Sequence, residues 1–386
     1  MRIVAILFAL CLFCHSLWAN TDELLIGATI SKDGKYKEPS EMIRKAFELW
    51  KEEINEKGGL LGKKVRLILY NDKSETALTE TLYEKLIEED KVDLVFSPYS
   101  TPLTNVAAKV CERHQKLMLA IAAAADAPWE KKPKYLFQLY APAKRQFIGL
   151  LDMMARKRLK RLAVIYDKTS VFNIDVYLGI KKWATVFKID IVFGRPYSNG
   201  EKELAGIVKE LEIVKPDALI NSSYPPASYH LISLLKKSNF RPTVLAMPIV
   251  PAHPSFLDKV GPFGNLILGP SQWEPTERIH FPGTRKFIQD FTRFTGHLPS
   301  FHATSAYAAC SIYEKAINHT RGFDNKALRG FVAALDTVTV LGRFKVDASG
   351  QQIGHNSFII QWQKGKKEIV WPRKMFTAKP EIGKRR

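Results

Sequence analysis

The stretch LLIGATI (residues 24–30) opens the pattern that decides the fold. It is almost wholly apolar and reads as a buried strand. Residues 41–57 follow, with Ile43, Ala46, Phe47, Trp50 and Ile54 at helical spacing, which sets them on one face. Gly58 and Gly59 stop that helix, because glycine tolerates the left-handed cap. Val65, Leu67 and Leu69 then alternate as a second strand.

The same rhythm continues outward. A helix over 76–89 has Leu78, Leu82 and Leu86 on one side; a strand over 92–96, a helix over 103–114 and a strand over 118–123 follow. Near-continuous apolar strands alternating with helices indicate an α/β fold with a parallel sheet covered on both faces. Past the basic run 157–161 the pattern restarts: strands over 162–166, 189–193, 218–221 and 244–247 alternate with helices over 175–187, 204–214 and 227–237. Two sheets of one kind argue for two Rossmann-like lobes, and no Ser/Gly-rich linker separates them. Beyond Trp273, helices over 283–294, 302–318 and 326–335 and strands near 338–345, 357–361 and 367–371 belong to neither run. The chain is therefore expected to re-enter the first lobe and return to the second.

Composition narrows the function. Of 386 residues, 46% are hydrophobic and 25% charged, which is globular and excludes a disordered chain. Residues 3–13 are an unbroken apolar run after Met1-Arg2, too short for a bilayer span of about 20 residues. With Ser16 to Ala19 behind them they read as a secretory signal peptide, residues 1–19, cleaved after Ala19. Cys111 and Cys310 would remain in the mature chain, either paired or as buried thiols. Lys and Arg outnumber Asp and Glu by 58 to 39. They spread over many helices and a basic tail (376–386) rather than forming an aromatic-laced face, so nucleic acid is not the expected partner. The charge reads as solvated helix faces and a frayed tail; the alternative is a field that steers an anionic ligand or an acidic partner surface.

Catalytic signatures are missing. There is no Gly-x-Gly-x-x-Gly after a strand, no phosphate-binding loop, no Gly-x-Ser-x-Gly and no His-Glu-x-x-His. The nine histidines are scattered, so no metal or other cofactor is expected. Asp126 and Asp167 fall near strand ends but have no partner motif. An enzyme is not the expected reading.

Three segments carry a resemblance: residues 54–62 (INEKGGLLG) with Tyr70-Asn71-Asp72, residues 97–104 (SPYSTPLT), and residues 342–347 (GRFKVD). Together they resemble the leucine/isoleucine/valine-type periplasmic substrate-binding proteins of ABC importers, over essentially the whole chain from Leu24 to about Pro372. The resemblance implies a type I periplasmic-binding-protein fold, with two lobes, parallel central sheets and a three-crossover hinge. It implies lobe 1 over 20–142 and 274–352, and lobe 2 over 143–273 and 353–375. It further implies a periplasmic, monomeric receptor that captures a small ligand between the lobes and delivers it to an inner-membrane ABC permease. The alternative is a sensor that passes occupancy to a signalling partner.

In open α/β sheets, ligands bind beyond the carboxyl ends of the strands. The resemblance places the carboxylate grip at Thr101 with Ser100, and at the backbone of Ala122, Ala123 and Ala124, where Ala124 replaces the family's hydroxyl. It places Tyr224 against the ligand from the second lobe. An acid to hold an α-ammonium group should fall near Pro248 and Ile249, and none is there. Tyr99, Tyr140, Phe172 and Trp273 near strand ends are candidate cleft walls that suit an apolar or aromatic acid.

Overall fold

The computed structural model describes residues 23–383; the expected signal segment and the last three residues of the basic tail lie outside the described residues. Strand β1 (Glu23–Ile30) is largely buried, and helix α1 (Lys37–Glu56) turns Ile43, Phe47, Trp50 and Ile54 inward. At its end the amides of Gly58 and Gly59 return to the carbonyls of Asn55 and Ile54. Gly59 sits at φ 85°, and a Cβ there would fall 1.9 Å from the Lys63 carbonyl oxygen, so only glycine makes this turn. Strand β2 (Lys64–Asn71) follows.

Helix α2 (Thr76–Glu88), β3 (Leu94–Phe96), α3 (Thr101–Arg113), β4 (Met118–Ala120) and β5 (Leu136–Gln138) continue the alternation. The five strands form one parallel sheet in the order β2-β1-β3-β4-β5. At its centre Phe96 stacks on Phe47 at 4.3 Å and meets Trp50 and Tyr313 edge-on.

The second lobe runs α4 (Ile148–Arg156), β6 (Arg161–Asp167), α5 (Val171–Phe187), β7 (Asp190–Tyr197), α6 (Gly200–Val214), β8 (Ala218–Ser222), α7 (Pro225–Lys237), β9 (Val244–Ala246), the short α8 (Phe256–Val260) and β10 (Ile267–Ser271). The chain then returns to the first lobe with α9 (Thr284–Thr295), α10 (Phe301–Thr320) and α11 (Asn325–Ala334). Helix α10 is bonded into the first lobe: Trp50 donates to Glu314, Ser305 to the Ile121 carbonyl, and the Tyr313 hydroxyl lies 2.8 and 2.7 Å from the Val95 and Leu117 carbonyl oxygens. A hairpin, β11 (Thr337–Thr339) with β12 (Gly342–Phe344), precedes a third crossing. Strands β13 (Phe358–Gln363) and β14 (Lys366–Trp371) complete a seven-stranded sheet in the order β14-β13-β10-β9-β8-β6-β7, in which β13 alone runs opposite to the rest.

Several expectations are corrected. The single strand near 338–345 is the β11–β12 hairpin, turned through Val340 and Leu341, with Gly342 at φ 136° opening β12. The pattern passed over β5, α4 and β10. Strand β5 has three residues, too few to show a period, and β10 contains Gly269-Pro270, which reads as a turn. The described part of the tail is not frayed: the side-chain amides of Gln361 and Gln363 on β13 donate to the Glu381 and Lys379 carbonyls. Cys111 and Cys310 are buried free thiols on α3 and α10. Among the described residues no helix is long and apolar enough to cross a membrane.

Candidate functional site

The carboxyl ends of the parallel strands of both sheets face one interlobe cavity, with about 410 Å³ of empty space, its mouth included. The turn after β3 contributes Tyr99, Ser100 and Thr101, and the turn after β4 contributes Ala122 and Ala124. Tyr140 and Gln146 come from the first crossing, and Phe301 and His302 from the start of α10. The second lobe supplies Phe172, Tyr224, Pro248, Ile249, Pro270 and Gln272.

Seven of the nine residues singled out as site candidates in the sequence meet here: Tyr99, Ser100, Thr101, Ala122, Ala124, Phe172 and Tyr224. Tyr140, named as a wall, joins them. Ala123 and Trp273 do not line the cavity. Successive residues of an extended segment face opposite ways. Ala123 thus turns into the sheet core, where its carbonyl accepts from the Gln138 side chain at 3.1 Å. Trp273 is fully buried and packs edge-on against Phe287 of α9. Gln146, Pro270, Gln272, Phe301 and His302 were not anticipated. The proline-serine pair before Phe301 marked a helix start, but nothing local shows that this start points into the cleft.

The Thr101 hydroxyl accepts from the Ala124 and Ala125 amides at 3.1 and 3.4 Å, tying the two first-lobe loops together. The two bonds leave its proton unused. Aromatic rings close the cleft across the lobes: Tyr36 meets Tyr99 and Tyr224 edge-on, with centroids 5.5 and 5.1 Å apart, and Phe172 lies 5.9 Å from Tyr224. Burial pushes the Tyr99, Tyr140 and Tyr224 hydroxyls far up, so all three stay protonated. Burial also holds His302 well below the ordinary histidine range, so the imidazole is neutral. Three polar atoms on the cavity wall, Ser100 Oγ, Tyr140 Oη and His302 Nδ1, are buried without a hydrogen-bond partner in the protein. Such orphans cost about 1–3 kcal/mol each unless a guest satisfies them.

Two charged bridges flank the cavity. On one side Lys144 joins Asp126 of the first lobe and Asp175 of α5 at 2.5 and 3.3 Å. On the other, Glu38 of α1 receives Ser255 at 2.7 Å and Lys259 at 2.6 Å, with His253 Nδ1 2.6 Å away, all from the second lobe. Burial opposes ionisation of Glu38, but these three partners outweigh it and hold the carboxyl at about 2. Asp167 is spent on an Asx turn to Thr169, and Asp126 on its bridge, so neither offers a catalytic carboxylate to the cavity. Among the described residues no cluster could hold a metal ion.

The Glu38 bridge exists only while the lobes are together. Replacing Glu38 by glutamine is expected to weaken guest binding about three- to tenfold, the size of about 1 kcal/mol for a half-buried pair, and to raise the radius of gyration measured by X-ray scattering. Because the bridged carboxyl is depressed to about 2 from 4.5, its contribution is complete above pH 4.5 and lost as pH falls through 2. The difference between wild type and variant should fade over that window. An equal difference at pH 7 and pH 2 would refute the bridge's role.

Comparison with known proteins bears on this geometry. The family model described as periplasmic binding protein matches residues 23–367. The Leu/Ile/Val-binding protein homolog 7 of Brucella suis is 23% identical, over 85% of this chain and 86% of that protein. A branched-chain amino acid substrate-binding protein from Streptococcus pneumoniae, solved with isoleucine, superposes with a TM-score of 0.81 at 18% identity, over 91% of this chain and 100% of that chain. A solute-binding protein from R. palustris, solved with benzoate, superposes with a TM-score of 0.78 at 19% identity, over 89% of this chain and 94% of that chain.

Proposed function

The chain belongs to the periplasmic binding protein family, and from that premise we propose that it is a solute receptor that captures a small carboxylate-bearing molecule in the interlobe cavity and delivers it to an ABC permease. The family places it outside the cytoplasm. The observation that carries the reading is the cavity itself: strand ends of both lobes face it, its walls are aromatic, and its unpartnered atoms are those of Ser100, Tyr140 and His302.

In this reading residues 20–142 and 274–352 form one jaw and residues 143–273 and 353–375 the other. Thr101, through the proton its two acceptor bonds leave free, Ser100 and the Ala122 amide receive the carboxylate. Tyr99, Tyr224 and Phe172 cover the rest as the jaws close by hinge motion. No bond is made or broken, no cofactor is required, and a monomer suffices. The solved relatives named above hold isoleucine and benzoate, which bracket the size of guest proposed here.

A guest that binds only the folded protein stabilises it by RT ln(1 + [L]/Kd), about 2.7 kcal/mol at a hundredfold excess over Kd. A thermal-shift panel of amino acids, aromatic acids and short-chain acids should therefore find at least one compound that raises the melting temperature in proportion to the logarithm of its concentration. A panel that leaves the transition unmoved at millimolar concentration would defeat the proposal.

A further inference from the structure

Four helices start at the cavity. Thr101 begins α3, Phe172 is the second residue of α5, Tyr224 caps α7, and Phe301 and His302 begin α10. Each helix N-terminus carries about half a positive charge on its free amides. None of the four cap residues spends its side chain on its own helix. The Ser100, Ser170 and Ser300 hydroxyls, on residues 2%, 4% and 1% exposed, have no partner. Ser100 and Ser170 approach the Tyr224 hydroxyl without reaching bonding geometry.

The walls offer nothing to balance a cation. No Asp, Glu, Lys or Arg lines the cavity. The carboxylate of Glu38 is committed to His253 and Lys259 outside it. Nor are the rings free to act as a cage for a quaternary ammonium. Tyr36 already packs edge-on with Tyr99 and Tyr224, and the Lys35 ammonium lies 5.0 and 5.6 Å from the Tyr36 and Tyr224 ring centroids. Four positive helix ends meet at the cavity, and His302, held neutral, adds no charge of its own.

Resting on the receptor reading above, we infer that the guest is an organic acid without an ammonium group, with an apolar or aromatic body, and that the cavity rejects α-amino acids by charge. A carboxylate gains the hydroxyl of Ser100, the free proton of Thr101 and the helix ends together. An α-ammonium a few ångströms away would be desolvated beside positive dipoles with no counter-ion, a heavy cost in a buried site.

The test uses matched pairs that differ only in the ammonium group: 3-phenylpropanoate against L-phenylalanine, and 4-methylpentanoate against L-leucine. Each is titrated by calorimetry into the full-length mature protein, with benzoate and glycine betaine alongside. At least one deaminated acid should bind, and tenfold or more tighter than its amino partner. An amino acid that binds as well as its partner, or glycine betaine binding above the acids, overturns this inference and leaves the receptor reading standing. Failure of every compound to bind overturns both.

A second measurement reverses the charge. Ile249 faces the cavity from the second lobe, so Ile249→Glu should shift the acid-to-amino-acid preference at least tenfold toward the amino acid, relative to the neutral Ile249→Gln. An unchanged preference in a folded Ile249→Glu protein overturns the inference. Should that variant not fold, the wild-type pairs decide alone.

Discussion

Replacing Thr101 by valine is expected to cost about 2–4 kcal/mol of stability and at least tenfold in affinity for the captured acid. Valine has the same shape but no acceptor. The Ala124 and Ala125 amides, which both donate to Thr101 Oγ1 in the wild type, would be left in a fully buried turn. Each stranded buried donor costs about 1–3 kcal/mol. The turn after β4 would have to move to find a partner, and Ala122 and Ala124 would move with it. Thr101→Ser is the control, because it keeps the oxygen and loses only a methyl group. Urea unfolding and guest titration of the two variants separate the effects. A valine variant within 1 kcal/mol of wild type would show that the oxygen does not hold the two loops together.

Phe96→Ala should destabilise the protein by about 3–5 kcal/mol, the cost of a fully buried phenylalanine reduced to alanine. Phe96 is 0% exposed. It stacks on Phe47 and meets Trp50 of α1 and Tyr313 of α10. The lost ring therefore opens a void where β3, α1 and α10 meet, and neither helix can collapse into it without giving up its own bonds. The variant should unfold at a correspondingly lower guanidinium concentration with an unchanged slope. Phe96→Leu should lose less than half as much. A loss below 1.5 kcal/mol in Phe96→Ala would mean that α10 is held elsewhere.

The fold was legible where the physics is local. The run 24–30, the apolar face of α1 and the paired glycines describe a βαβ unit within a short span. Of the residues that carried the resemblance, those in 54–62 and 70–72 turn out to serve that unit. Asn55 bonds both main-chain groups of Val65, Gly59 makes a turn closed to other residues, and Asp72 accepts from Thr29, Ser31 and the Ser74 amide. They announce a way of joining α1 to β1 and β2, and carry no information about the guest. The site was legible only in part, because the cavity is assembled by crossings. Ser100 and Thr101 could be read from a strand end and a helix start. Phe301 and His302 reach Tyr140 and Tyr99 only through a return of the chain across 161 and 203 residues. Within the turn after β4, an alternation of faces was available to separate Ala123 from Ala122 and Ala124. Trp273 follows a strand, as a wall residue would, but its large ring found the apolar space under α9 instead.

The late return of α10 has a consequence for how the molecule comes to exist. The bonds that seat it, from Ser305 to Ile121 and from Tyr313 to Val95 and Leu117, join residues 184 to 218 positions apart. A nascent chain thus presents β1 to β5 long before the helix that covers them has been synthesised, and closing so long a loop is entropically slow. One face of the amino-terminal sheet therefore waits for residues made much later before it is covered.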